Sequence, residues 1–359
     1  MNKIIGLIAV CLFCSCNESK NDELTGIPVD IEQNVPLPLS TIADEIVAIE
    51  LEMTDESLIN TDNIQRVLFS DKNIIIAERL KIYVFNRDGK FIRSIGSRGQ
   101  GPGEYRTIVN LTMDEKNNSL FVNCFNKIIC YDLEGKFLKE KRMDQYIKDM
   151  NFVNGELFII GEDYGENSKG FFFNSVMYKL NNDLQITDSL PIRDTYFKME
   201  VFNTSTLAGI ILLRRDTFMS LYLADINKYP LVNVLRDTLY HVENNLLIPD
   251  VKLNFKNNGI SNGEKFIELY NMYRSSRYVF ALYANIQNEN FYYFCFDTKT
   301  GTGYNMQDGY KDDIHQIGDR QTIRPLSSDT EMFYYLHTHM KPGDLEEPNP
   351  TLYIGKLKK

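Results

Sequence analysis

The two imidazoles of His337-Thr338-His339 are the arrangement in this chain nearest to a metal chelate, because residues i and i+2 of a strand point to one face. Zinc takes four ligands, yet no third one stands at a matching spacing and no Cys-x-x-Cys occurs. The pair is therefore read as solvent-facing, and neither a metal nor any other cofactor is expected. Asp297 and Asp312-Asp313 are carboxylates without the Asp-x-Asp-x-Asn-Gly loop that encloses calcium. Serine chemistry lacks its usual carrier as well. There is no Gly-x-Ser-x-Gly elbow, and His241, His315, His337 and His339 are the only histidines from which a general base could be drawn.

The most unusual local sequence is Gly96-Ser97-Arg98-Gly99-Gln100-Gly101-Pro102-Gly103-Glu104-Tyr105, where four glycines and a proline fix a tight path. It is not a phosphate cradle. Neither Gly-Lys-Ser/Thr nor Gly-x-Gly-x-x-Gly is present, and Pro102 removes a backbone donor. Two readings stay open. In one the loop is a crossover between repeated units, with Arg98 and Glu104 paired and Tyr105 packed inward; in the other Arg98, Gln100, Glu104 and Tyr105 bind a ligand.

Whatever chemistry these residues do, a repeated unit must position them. At an offset of 46 residues, Lys81-Ile82-Tyr83-Val84-Phe85-Asn86-Arg87-Asp88-Gly89-Lys90-Phe91 lies over Lys127-Ile128-Ile129-Cys130-Tyr131-Asp132-Leu133-Glu134-Gly135-Lys136-Phe137. Each copy is a β-rich run, a polar turn ending in Gly, and a new apolar start, which is the pattern of a hairpin. A third copy runs from Ser175 to Leu184 with Asn182 in place of the Gly. Weaker ones start at Thr238, Phe291 and Leu352. Ahead of the clearer copies lie further runs, Asn73–Ala77, Ser119–Val122 and Gly155–Ile160. Six units of about 45 to 55 residues, each with several short strands, predict an all-β, six-bladed β-propeller over residues 42–359. One short surface helix is expected from Asn262 to Arg277, where Phe266, Leu269, Tyr270 and Tyr273 recur at helical spacing after Ser-Asn-Gly.

Residues 1–15 read as a signal peptide, with Lys3 ahead of an apolar run from Ile4 to Phe13 that is half the roughly 20 residues a spanning helix needs. Phe13-Cys14-Ser15-Cys16 resembles a bacterial lipoprotein box, which implies cleavage before a lipid-modified Cys16. Residues 16–41 would then hold the lipidated cysteine and a flexible tether, beginning with the acidic stretch Asn17 to Glu23. Cys124, Cys130 and Cys295 remain for the fold, too few for a disulfide framework, although Cys124 and Cys130 flank one hairpin and could approach.

Four segments resemble a known family, the six-bladed β-propeller lipoproteins of Bacteroidetes, related in shape to NHL and TolB-like propellers. They are Glu50–Ile59, the loop Gly96–Tyr105, Arg236-Asp237-Thr238-Leu239-Tyr240, and Glu347-Pro348-Asn349-Pro350-Thr351-Leu352. The resemblance spans nearly the whole mature chain. It implies a lipid-anchored protein of the outer membrane, facing the periplasm or the cell surface, that binds ligands or partners.

Composition narrows the remaining choices. With 39 Lys+Arg against 49 Asp+Glu, a net charge of −10 gives phosphate backbones little to hold, so no nucleic-acid partner is expected. With 43% hydrophobic residues, 21 Tyr and 22 Phe, disorder is excluded. The function expected is a non-catalytic binding or interaction module, monomeric, with a glycan, a peptide or an envelope protein as partner. The alternative is an extracytoplasmic hydrolase or lyase using the central channel, with or without a metal ion.

Overall fold

The structure, a computed structural model, describes residues 26–359 except 169, 198–209, 216–217, 224–237, 245, 256–258, 262–263, 327 and 341–346. Cys16 and the leader thus lie outside the described residues. Six antiparallel blades form a ring. The first is Ile64–Phe69, Asn73–Glu78, Ile82–Asn86 and Phe91–Ser94, and the second is Asn110–Asp114, Ser119–Asn123, Lys127–Tyr131 and Phe137–Arg142. The third blade is Tyr146–Val153, Glu156–Asn167, Gly170–Leu180 and Ile186–Phe197; the fourth begins at Ile210–Arg215 and ends at Leu246–Phe255; the fifth runs from Ile267–Arg274 to Thr302–Gln307. In the sixth, Arg324–Leu326, Asp329–His337 and Thr351–Leu357 are joined by Ala43–Glu50 from the opposite end of the chain, which forms the outermost strand. The six repeated segments are the six third strands.

Burial follows position in the blade. Ile74–Ala77 and Ile82–Phe85 are buried at every residue, because these middle strands have a neighbouring blade on both faces. The outer strand Phe137–Arg142 has no buried residue and carries four charges. Six apolar clusters among the described residues fill the gaps between consecutive blades, for example Leu68, Ile75 and Val84 of the first against Leu111, Leu120 and Ile129 of the second. No blade has a private core.

Two expectations are corrected here. Residues 267–274 form a strand and not a helix, paired along Tyr278–Asn285. A register shift between Leu269 and Asn271 leaves Tyr270 unpaired, so the buried positions Ile267, Leu269 and Met272 step by two and then three. That bulge breaks the period of two and makes the apolar spacing imitate a helix. Helical structure among the described residues is limited to short turns at Leu39–Ile42 and Thr61–Asn63, and no helix is long and apolar enough to cross a membrane.

The tether is also shorter than expected. From Gly26 onward the chain lies on the propeller: Ile27–Val29 adds a parallel strand to the rim of the fourth blade, opposite Leu253–Phe255. The Val35 N–H donates to the Asn305 carbonyl at 3.0 Å on the fifth blade, and the Ser40 N–H donates to Asp313 at 3.0 Å beside the sixth. Val29, Leu37 and Leu39 are buried along the way. The segment is therefore a belt over three blades.

Arg277 ties the fifth blade to the end of the chain. Its guanidinium grips Asp297 through Nε and Nη2 at 2.9 and 2.6 Å and donates to the Lys359 carbonyl at 3.3 Å. That grip holds the Asp297 carboxyl at about 2, below its usual range. In the unfolded chain the group returns to roughly 3.9. The stabilisation is thus present above about pH 4 and lost as pH falls through about 2. Asp297→Asn should flatten this acid limb in urea unfolding from pH 5 to 2; a variant that loses as much stability as the parent over that range would sink the assignment.

Candidate functional site

The innermost strands surround the axis and leave a cavity of about 660 Å³, within the range that accepts small molecules. Its polar lining comes from a device used three times. In the first, third and fifth blades the innermost strand carries a bulge, with register shifts at Ile64/Arg66, Ile147/Asp149 and Leu269/Asn271. A bulge re-aims the side chains beside it. Arg66, Asp149 and Asn271 consequently line the cavity, as do the bulged residues Gln65 and Lys148. The recurring sequence is aliphatic, bulged residue, polar, aliphatic: Ile64-Gln65-Arg66-Val67, Ile147-Lys148-Asp149-Met150, Leu269-Tyr270-Asn271-Met272.

On one side three blades share a polar network. Arg66 Nη2 lies 2.9 Å from Asp149 Oδ1, the Asn110 amide donates to the same oxygen, and so does the Met150 N–H at 2.8 Å. Asp149, the one carboxylate among the described residues that line the cavity, is thereby held by three donors. The other side is aromatic, with Tyr273 stacked on Phe280 at 4.6 Å and Tyr293 and Tyr334 nearby. Three buried polar atoms of lining residues have no partner among the described residues: Asn110 Oδ1, Asn271 Oδ1 and the Tyr273 hydroxyl. Burial pushes the Tyr273 hydroxyl well above its ordinary range, so it stays protonated. Lys148 and Arg324 also line the cavity, and neither enters an ion pair among the described residues.

A second cavity of about 580 Å³ shares Thr322, Arg324 and Tyr334 with the first and leads past Arg320 and His337. Three of the four histidines, His315, His337 and His339, lie in or beside it. The His337 and His339 rings are 4.4 Å apart, and His339 Nε2 is 3.1 Å from the Tyr353 hydroxyl. Tyr353 stacks on Tyr335, which donates to the buried Asp312 at 2.7 Å, and His315 lies edge-on to Tyr353. Burial and then His339 lower the His337 pKa. His337 and His339 thus face each other, His339 exposed and His337 half-buried. Among the described residues no group of three or more His, Cys, Asp or Glu side chains converges as a metal site.

The glycine-rich loop joins the first blade to the second and is satisfied from within. The Glu104 carboxylate accepts from the Gly101 N–H at 2.8 Å, so the expected Arg98–Glu104 ion pair does not form, and Arg98 and Gln100 are exposed. Tyr105 is 1% exposed and donates to the Ile95 carbonyl at 2.9 Å, while Tyr131 donates to Gly103 O at 2.6 Å. None of Arg98, Gln100, Glu104 and Tyr105 lines the channel cavity. The three cysteines are free thiols. The register sets Cys130 opposite Phe121 rather than Cys124, and burial pushes the Cys124 thiol up to about 12.

Comparison with known proteins gives a family and a fold. The family described as "Domain of unknown function (DUF4934)" matches residues 24–356. No curated protein matches the chain. Among solved structures, a "Putative exported protein" from Bacteroides fragilis NCTC 9343 is similar over 93% of this chain and 100% of its own, with 17% identity and a TM-score of 0.66. The Neurospora crassa Pan2 WD40 domain is similar over 82% of this chain and 76% of its own, with 13% identity and a TM-score of 0.43. A protein of unknown function from Bacteroides caccae covers 79% and 90%, with 10% identity and a TM-score of 0.42.

Proposed function

The chain belongs to the DUF4934 family, and from that premise we propose that it is a lipid-anchored envelope propeller that binds a small anionic ligand, without catalysis, in its central channel. The observation that carries the binding reading is the charge of the cavity. Among the described residues Arg66, Lys148 and Arg324 line it against the single carboxylate Asp149, which Arg66 already engages, in a chain whose net charge is −10. A local cation surplus in an acidic protein raises the concentration of anions at that mouth. The lone carboxylate is committed to three donors and is poorly placed to act as a base. The envelope location rests on the leader and the Cys16 box, together with the exported neighbour from Bacteroides fragilis.

Small anions should raise the thermal midpoint by mass action, less so in high salt, and the Lys148→Gln/Arg324→Gln variant should lose that response while keeping the parent's midpoint without ligand. A flat response to every anion, or one that the variant retains, would overturn the channel as the site. In cells, Cys16→Ala should move the protein from the membrane fraction to the soluble one; an unchanged distribution would remove the anchor.

A further inference from the structure

We infer that the ligand's anionic group is a carboxylate borne by a sugar ring, so that the channel takes an acidic saccharide; this rests on the anion-binding reading above. The reason lies in the atoms left without partners. Asn110 Oδ1 and Asn271 Oδ1 are acceptors only, and Asn110 is 4% exposed. A buried acceptor that finds no donor is costly, so a ligand that completes this site must bring O–H or N–H groups as well as charge. Sulfate has no donor, and phosphate near neutral pH offers one O–H in its doubly charged form and two only in its singly charged form, so neither supplies donors as fully as a hydroxylated ring. An ammonium group would supply donors, but it would face Arg66, Lys148 and Arg324 at close range. Hydroxyls are the donors that carry no such penalty.

The rest of the lining agrees with a hydroxylated ring. Arg324 enters no ion pair among the described residues, and its planar fork matches a carboxylate through two parallel hydrogen bonds. Tyr273, Phe280, Tyr293 and Tyr334 offer aromatic surface to the C–H groups of a ring while leaving its hydroxyls to the amides. The second cavity continues from Arg324 and Tyr334 past Arg320 and His337, which gives a chain of such rings a way out.

The test is isothermal titration of the full chain with glucuronate, galacturonate and mannuronate, beside glucose, glucosamine, acetate and inorganic phosphate. At least one uronate is expected to bind ten-fold or more tighter than any of the other four. Asn271→Leu removes an acceptor that has no partner among the described residues, so folding should be unaffected, uronate binding should weaken at least ten-fold and acetate binding should stay as it was. Arg324→Gln should weaken uronates and acetate together. If acetate or phosphate binds as well as every uronate, or Asn271→Leu leaves uronate binding intact, the sugar assignment fails while the anion site stands. Tighter binding of glucose or glucosamine would overturn the charge argument beneath both. If no anion binds at all, the channel reading fails, and this inference with it.

Discussion

Asp149→Ala is expected to lower the free energy of unfolding by about 3–5 kcal/mol, the usual cost of stranding one partner of a buried ion pair. The Arg66 side chain is 14% exposed and that of Asp149 6%, so solvent does little to replace what is lost. The Asn110 amide and the Met150 N–H lose the same acceptor. Replacing both charges with apolar residues, as in Arg66→Met/Asp149→Leu, removes the desolvation penalty along with the attraction and should recover most of the loss. Urea unfolding of the two single variants and the double closes the cycle. A cost below about 1 kcal/mol for Asp149→Ala, or strict additivity in the double, would show that the network is solvated and that its place at the channel matters little for stability.

Gly89→Ala should be at least as damaging, while the same change at Gly301, the corresponding turn of the fifth blade, should be mild. Both have left-handed backbones, φ +83° at Gly89 and +71° at Gly301, for which an alanine costs roughly 1–2 kcal/mol. Their surroundings differ. A Cβ at Gly301 meets nothing within 4 Å, whereas at Gly89 it would lie 2.0 Å from the Glu50 carbonyl oxygen, and backbone cannot rotate away as a side chain can. The Glu52 N–H also donates to the Gly89 carbonyl at 2.8 Å, so any shift is passed to the strand that closes the ring. A total of about 4 kcal/mol or more is expected for Gly89→Ala, in the class of severe single changes. Parallel denaturation of the two variants decides it: equal losses would leave only the dihedral cost and remove the steric one.

The fold was legible because its evidence is local and repeated. Lys81–Phe91 and Lys127–Phe137 announce third strands by composition and by the glycine of the following turn, and the four other copies fall on the same element in their blades. The strand Ile267–Arg274 was misread for a reason of the same kind. One inserted residue, Tyr270, shifts a period of two into something that counts like 3.6. The channel was not legible, since Arg66, Asn110, Asp149, Asn271 and Arg324 come from five blades and meet only because the ring closes. A polar residue interrupting an aliphatic stretch looks like ordinary surface until its strand is known to be innermost. The most conspicuous sequence, Gly96–Tyr105, instead reflects a demanding crossover; its polar groups are largely spent on the loop itself and on the second blade.

The pairing of Ala43–Glu50 with Thr351–Leu357 has a consequence for how the molecule comes into being. A chain made from its N-terminus releases the first closing strand early, and its partner appears only some three hundred positions later. At typical elongation rates of about 5–20 residues per second, that interval is on the order of tens of seconds. Until then Val67, Ile74 and Tyr83 of the first blade lack the covering that Leu352 and Ile354 provide. The nascent protein therefore carries an uncovered apolar face and an unpaired strand for most of its synthesis. Both invite premature association with other chains, and any holding factor that shields this seam must let go only after Thr351–Leu357 has emerged.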